Sequence, residues 1–354
     1  MPAPIHKTLD KILPVSASDL DKAQRRLDSL TKPPGSLGRL EELARRYVAI
    51  KGVDAPSIPK KFVFIFAADH GIARAGVSAY PPEVTPQMVQ NFLKGGAAIN
   101  VLAKHVSAEI GVVDIGVNFD FQKCPGLIHK KIAFGTGDIS KGPGMTRAQA
   151  EEALQIGIDL AKKSADNGID VLATGDMGIG NTTPATAIMS VYGNKTTGQV
   201  AGKGTGIDNA TLEKKINLIE QAIKINSPNK EDPIDVLAKL GGFEISGIAG
   251  LILGGASQKT PVIIDGLISG AAAVIAYKLN PIVKDYIFTS HRSQEPGHEI
   301  LFQMLDQPPL FDFGMRLGEG TGAVLGMSIL DASIKIYTQM ATFEEAGVTT
   351  KTDS

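Results

Sequence analysis

Short, predominantly apolar runs recur along the middle of the chain, each ending in glycine or aspartate and followed by a stretch of helical periodicity. Residues 62–67 (FVFIFA) lead into Asp69-His70-Gly71, residues 110–115 into Gly116, residues 169–173 into Gly175, and residues 262–264 into Asp265-Gly266. Apolar runs that do not alternate with polar positions predict parallel strands covered on both faces. One connecting helix is delimited at both ends: Thr146 and Gln149 form a capping-box pair, Ala150, Leu154, Ile158 and Ala161 share a face, and Asn167-Gly168 stops it. Strands alternating with helices predict a doubly wound α/β sheet, which binds ligands at the carboxyl ends of its strands.

Helical patterning also brackets this region. Residues 17–30 carry Leu20, Leu27 and Leu30, residues 37–50 repeat apolar positions at helical spacing, and Lys32-Pro33-Pro34-Gly35-Ser36 marks the turn between them. After Leu325 the chain reads as helix to about Met340, and the tail at 348–354 is expected to be disordered. The longest apolar run, 245–256, is interrupted by four glycines and follows Glu244. It falls short of the roughly 20 residues that cross a bilayer and reads as a buried segment.

Composition narrows the partners. Across 354 residues, 43% hydrophobic, 36 Lys and Arg face 37 Asp and Glu. A net charge of −1 gives no field to draw the chain to nucleic acid or an anionic membrane, so the expected partner is a small molecule. A single cysteine, Cys124, cannot close an intramolecular disulfide and points to a reducing compartment, with the cytoplasm as the expected location. The start, Met1-Pro2-Ala3-Pro4-Ile5-His6-Lys7, lacks the apolar core of a secretory signal. The six histidines form no HExxH pair, so no metal is expected.

Several segments carry candidate chemistry. Gly175-Asp176-Met177-Gly178-Ile179-Gly180-Asn181-Thr182-Thr183-Pro184 lies between a predicted strand and a predicted helix, where a threonine can cap and Pro184 suits the first helical position. Such a helix start favours phosphate, though a ligand-free turn explains the composition equally well. The glycine-rich loops 135–144 and 202–206 do not match GxxxxGK[ST] and, taken singly, read as surface loops; Lys215 beyond the second reads as a solvated lysine. Asp69 and His70 either touch substrate or tie down their loop. Tyr80 and Met88 fit either core packing or the wall of an aromatic pocket. In Met315-Arg316-Leu317-Gly318-Glu319-Gly320-Thr321-Gly322, a glutamate between two glycines suits a general base meeting a flat substrate, against the alternative of a loop glutamate paired with Arg316.

Taken together, Lys32–Glu41 (KPPGSLGRLE), Ala68-Asp69-His70-Gly71, residues 178–184, Gly241-Gly242-Phe243-Glu244, Asp265-Gly266 and residues 315–322 resemble the nicotinate-nucleotide–dimethylbenzimidazole phosphoribosyltransferase (CobT) family over nearly the whole chain. The resemblance implies a Rossmann-like α/β domain with a small helical domain built from both chain ends, in a homodimer. The expected division is 1–60 and 286–347 for the helical part and the segment returning to the site, and 61–285 for the large domain. It also implies transfer of phosphoribosyl from nicotinate mononucleotide to 5,6-dimethylbenzimidazole in the making of the cobalamin lower ligand, with no cofactor.

By the same resemblance, Glu319 takes the role of catalytic base, and a second acidic position, commonly glutamate in the family, falls on Asp176. Orienting a base, contacting ribose and bracing the loop all stay open for that aspartate. Gly178, Asn181, Thr182 and Thr183 are expected around the nucleotide, with Lys215, Ser290, Ser293 and Arg316 as further contributors. Tyr80, Pro81, Met88, Met177 and Leu317 are expected around the base. Two readings compete with this one: a related transferase with another acceptor base, and a noncatalytic nucleotide sensor that would not need Glu319.

Overall fold

The computed structural model describes residues 2–54 and 56–350; residues 351–354 of the expected disordered tail lie outside them. Six strands form one sheet: β1 (Lys61–Ala68), β2 (Ala108–Gly116), β3 (Leu127–His129), β4 (Val171–Met177), β5 (Val262–Ile264) and β6 (Ile287–Thr289). Their order is β3-β2-β1-β4-β5-β6, and every pairing is parallel. The chain therefore winds outward from β1 in one direction and from β4 in the other, which places a switch point between them.

All four predicted strands are present, although the third runs Val171–Met177 rather than 169–173. Asp176 thus belongs to the end of a strand and not to the loop after it. The two edge strands β3 and β6 went unanticipated: each is three residues long and, unlike the equally short β5 with its Asp265-Gly266, neither was marked by a glycine or aspartate turn directly after it.

The apolar run 245–256 lies within the helix Phe243–Ser257, which is buried almost throughout and crosses one face of the sheet beside the helix Arg147–Asp166. Its glycines permit that approach. A methyl on Gly157 would overlap the Gly247 carbonyl oxygen, and one on Gly250 would overlap the Leu154 carbonyl oxygen. Gly157→Ala is therefore expected to destabilise the fold by ~1–3 kcal/mol, the range for overpacking a well-filled interior. Chemical unfolding with a shared m-value reads this directly, and an unchanged midpoint would contradict the packing account.

The opposite face is covered by the helix Thr321–Gln339, which also packs on Arg39–Lys51 and so brings the two chain ends together. Antiparallel bridging of Leu30 to Thr342 adds to this contact. The KPPGSLGRLE segment acts here structurally: Lys32 and Glu41 form a buried ion pair at 2.8 Å, and the same carboxylate accepts the Leu37 N–H. Burial opposes the charge on Glu41, but these bonds outweigh it and leave its pKa lowered.

Candidate active site

A cavity of about 650 Å³ opens at the carboxyl ends of β4 and β5, lined by residues from six separate stretches of chain. From β4 and the turn after it come Asp176, Met177, Gly178, Asn181 and Thr182, at the start of the helix Thr182–Tyr192. Tyr80 and Met88 close one side, Ser293 another, and Arg316, Leu317 and Glu319 complete the wall. Segments more than two hundred residues apart in sequence thus meet here.

Four of the expected residues stand behind or beside this lining. Thr183 is buried in the first helical turn, and Ser290 donates to the Ile264 carbonyl at 2.6 Å. Lys215, expected to be solvated, is fully buried; its Nζ donates to Thr182 Oγ1 at 2.8 Å and to the Gly202 carbonyl at 3.1 Å. The helix Asn209–Asn226 turns it inward, and burial pulls its pKa down to about 8. Pro81 sits in the exposed turn beside Tyr80, outside the lining.

The helix start departs from expectation in its details. No threonine caps it: the capping position falls on Asn181, whose amide instead donates to Asp176 Oδ2 at 2.9 Å. Pro184 is the third helical residue rather than the first, which costs nothing because the first-turn N–H groups have no helical partner to lose. Asp176 therefore braces the turn while also facing the cavity. Burial, reinforced by the charge of Asp265, pushes its pKa up to about 8.

Glu319 is only 6% exposed, and one carboxylate oxygen accepts the Ile99 N–H at 3.3 Å. The alternative of a pair with Arg316 does not hold, since Arg316 Nη1 donates to the Gly204 carbonyl at 3.0 Å. Burial raises the Glu319 pKa against the opposing Ile99 bond, and Asp265 adds to the rise. The carboxylate is consequently a stronger base than its solvated counterpart.

The loop containing Gly202–Gly206 is more than a surface loop, because Gly204 lines the cavity and its N–H is held by Glu295 at 2.7 Å. Glu295, His291, Gly266, Leu267 and Ile268 also face the cavity. No motif marked Glu295, Leu267 or Ile268, whereas Gly266 belongs to the Asp265-Gly266 turn. For His291 the available signal was its place in Ser290-His291-Arg292-Ser293, directly after β6.

Asp69 and His70 lie elsewhere. They line a separate cavity of about 760 Å³ with Arg74, Asn118 and the 134–138 loop, and this larger space contains none of the expected site residues. Their visible bonds are structural. Asp69 accepts the Asn118 N–H at 2.8 Å, and His70 Nε2 meets Glu244 at 2.7 Å.

Both the sequence and the fold are similar to those of known proteins. A family profile described as phosphoribosyltransferase matches residues 12–348. The chain is 55% identical over 344 residues to the nicotinate-nucleotide–dimethylbenzimidazole phosphoribosyltransferase of Geotalea uraniireducens, covering 97% of this chain and 98% of that one. It is 53% identical over 348 residues to the protein of the same name from Chloroflexus aggregans, covering 98% and 99%. A crystal structure of CobT from Thermus thermophilus superposes with a TM-score of 0.90 at 42% identity, over 94% of this chain and 99% of that one.

Proposed function

Because this chain belongs to the nicotinate-nucleotide–dimethylbenzimidazole phosphoribosyltransferase family, we propose that it transfers the phosphoribosyl group of nicotinate mononucleotide to 5,6-dimethylbenzimidazole. The observation that carries this reading is the shared cavity: a buried carboxylate, Glu319, faces the same space as the helix start at Asn181 and Thr182. A noncatalytic sensor would need the second feature and not the first.

The 5′-phosphate sits at that helix start, where the dipole favours an anion and Lys215 stands directly behind Thr182. Tyr80, Met88, Met177 and Leu317 give the flat acceptor an apolar surround. One ring nitrogen of the acceptor attacks C1′ from the face opposite nicotinate, and the C1′–N bond breaks with its electron pair returning to the nicotinate ring. The proton on the other ring nitrogen passes to Glu319. A single displacement inverts the anomeric carbon, so the products are nicotinate and α-ribazole 5′-phosphate.

Asp176 has a second part in this scheme. Its raised pKa leaves the carboxyl largely protonated at neutral pH before substrate binds. A cationic nicotinate ring or a developing positive charge on ribose favours the ionised form and opposes that rise. The exposed apolar side chains Tyr80 and Leu317 at the cavity are consistent with a second copy covering it in a homodimer.

Incubation with both substrates tests the reading: nicotinate and the α-anomeric ribotide should accumulate in equal amounts. Binding of nicotinate mononucleotide with no nicotinate release would favour the sensor. Competition among acceptor bases would show whether dimethylbenzimidazole is the preferred one, because the pocket sets the ratio of rates.

A further inference from the structure

Glu319 is held in an unusual backbone conformation. Its φ is +63°, and it lies between Gly318 at +83° and Gly320 at +93°. Three successive residues on the left-handed side are uncommon, and a non-glycine residue among them is disfavoured unless its surroundings impose the conformation.

The surroundings here centre on Asp265, at the end of β5 and fully buried. One carboxylate oxygen accepts the Gly320 N–H at 3.1 Å; the other accepts the N–H groups of Gly322 at 2.8 Å and Ala323 at 3.0 Å. The strand side of the loop is equally close, since a methyl on Gly175 of β4 would fall 2.5 Å from the Glu319 carbonyl oxygen. Asp265 itself is anchored by its N–H to Thr174 Oγ1 at 3.1 Å, and His291 Nδ1 lies 3.8 Å from its carboxylate.

We propose that Asp265 is the positioning residue for Glu319: by gripping the backbone on the C-terminal side of the glutamate, it clamps the loop onto β4 and keeps the base aimed into the cavity. Gly320 is the residue immediately after Glu319, so the Gly320 bond bears most directly on the base. The other two bonds secure the first turn of the helix behind it, where a carboxylate also complements the dipole. The inference rests on Glu319 being the base; Asp265 itself does not line the cavity and takes no part in the bond changes.

Asp265→Asn preserves shape but replaces one of the two acceptor oxygens with an amide N–H₂, which faces N–H donors and cannot accept from them. At least one of the three grips is lost. Misplacing a catalytic group by about 1 Å costs on the order of 100-fold, so kcat should fall roughly 100-fold in a variant shown to be folded. KM for nicotinate mononucleotide should stay within about threefold, because the phosphate turn does not depend on these bonds.

Coupling separates this role from a merely structural one. In a Glu319→Gln background the same substitution should cost no more than about threefold further, since groups acting as a unit are non-additive. Losses that multiply would overturn the assignment. So would wild-type turnover in Asp265→Asn while Glu319→Gln is inactive, a result that leaves the base reading intact. Full activity in Glu319→Gln would remove both.

Should Asp265→Asn fail to fold, Gly320→Ala tests the same claim from the other side. Its methyl would press on the Thr174 carbonyl oxygen and Val63, each at 3.0 Å, at a φ of +93°. Lower kcat at unchanged KM supports the clamp, and unchanged kcat overturns it.

Discussion

Glu319→Gln should lower kcat by about 10²- to 10⁴-fold, the usual contribution of a positioned general base. The substitution keeps the length of the side chain and an oxygen to accept the Ile99 N–H, so the loop should hold its shape. What it removes is the ability to take a proton. KM for nicotinate mononucleotide should change little, because the phosphate turn lies on another segment.

The pH profile gives the same claim a signature. Glu319 must be ionised to act, and burial followed by the nearby Asp265 charge raises its pKa above the ordinary glutamate value. In the wild type, kcat should therefore fall as pH drops through a value above 4.5, and this acid limb should vanish in Glu319→Gln. A limb that persists unchanged in the variant would assign it to another group, with Asp176 the first to examine.

The second large effect concerns the phosphate. Lys215→Met replaces a buried ammonium with an apolar chain of similar length, removing the donor behind Thr182. Hydrogen bonds to charged groups contribute about 1.5–3 kcal/mol, so KM for nicotinate mononucleotide should rise roughly 10- to 100-fold with a smaller change in kcat. Since burial pulls the Lys215 pKa down to about 8, the charged form that attracts phosphate is lost as pH rises through that value. The wild-type KM should climb above about pH 8, and the variant should not show the climb. An unchanged KM at neutral pH would place the phosphate away from this lysine.

Much of the fold was legible because burial on both sheet faces leaves a direct imprint: residues 62–67 are apolar throughout, and in 110–115 the one charged residue, Asp114, is buried only with Lys131 as its ion-pair partner. The helix Arg147–Asp166 was readable at both ends because capping is local chemistry, and its Thr146–Gln149 box is present. The edge strands β3 and β6 were not readable, since their pairing is set by neighbours far away in sequence.

The site divides in the same way. Glycine spacing marked the turn after β4 and the loop around Glu319, and both line one cavity. Burial could not be foreseen from spacing. Lys215 lies in Glu213-Lys214-Lys215, a sequence that looks solvated, yet helical phase turns only one of the two lysines fully inward. The grip of Asp265 on residues 320–323 was equally hidden, because it joins a strand end to a helix start more than fifty residues later.

The most direct test of the account is a crystal structure with 5,6-dimethylbenzimidazole bound. The account predicts the ring against Tyr80, Met88 and Leu317, with one ring nitrogen within about 3.2 Å of the Glu319 carboxylate. A ring seated in the separate cavity lined by Asp69 and His70, or one in the β4–β5 cavity with both nitrogens turned away from Glu319, would contradict it.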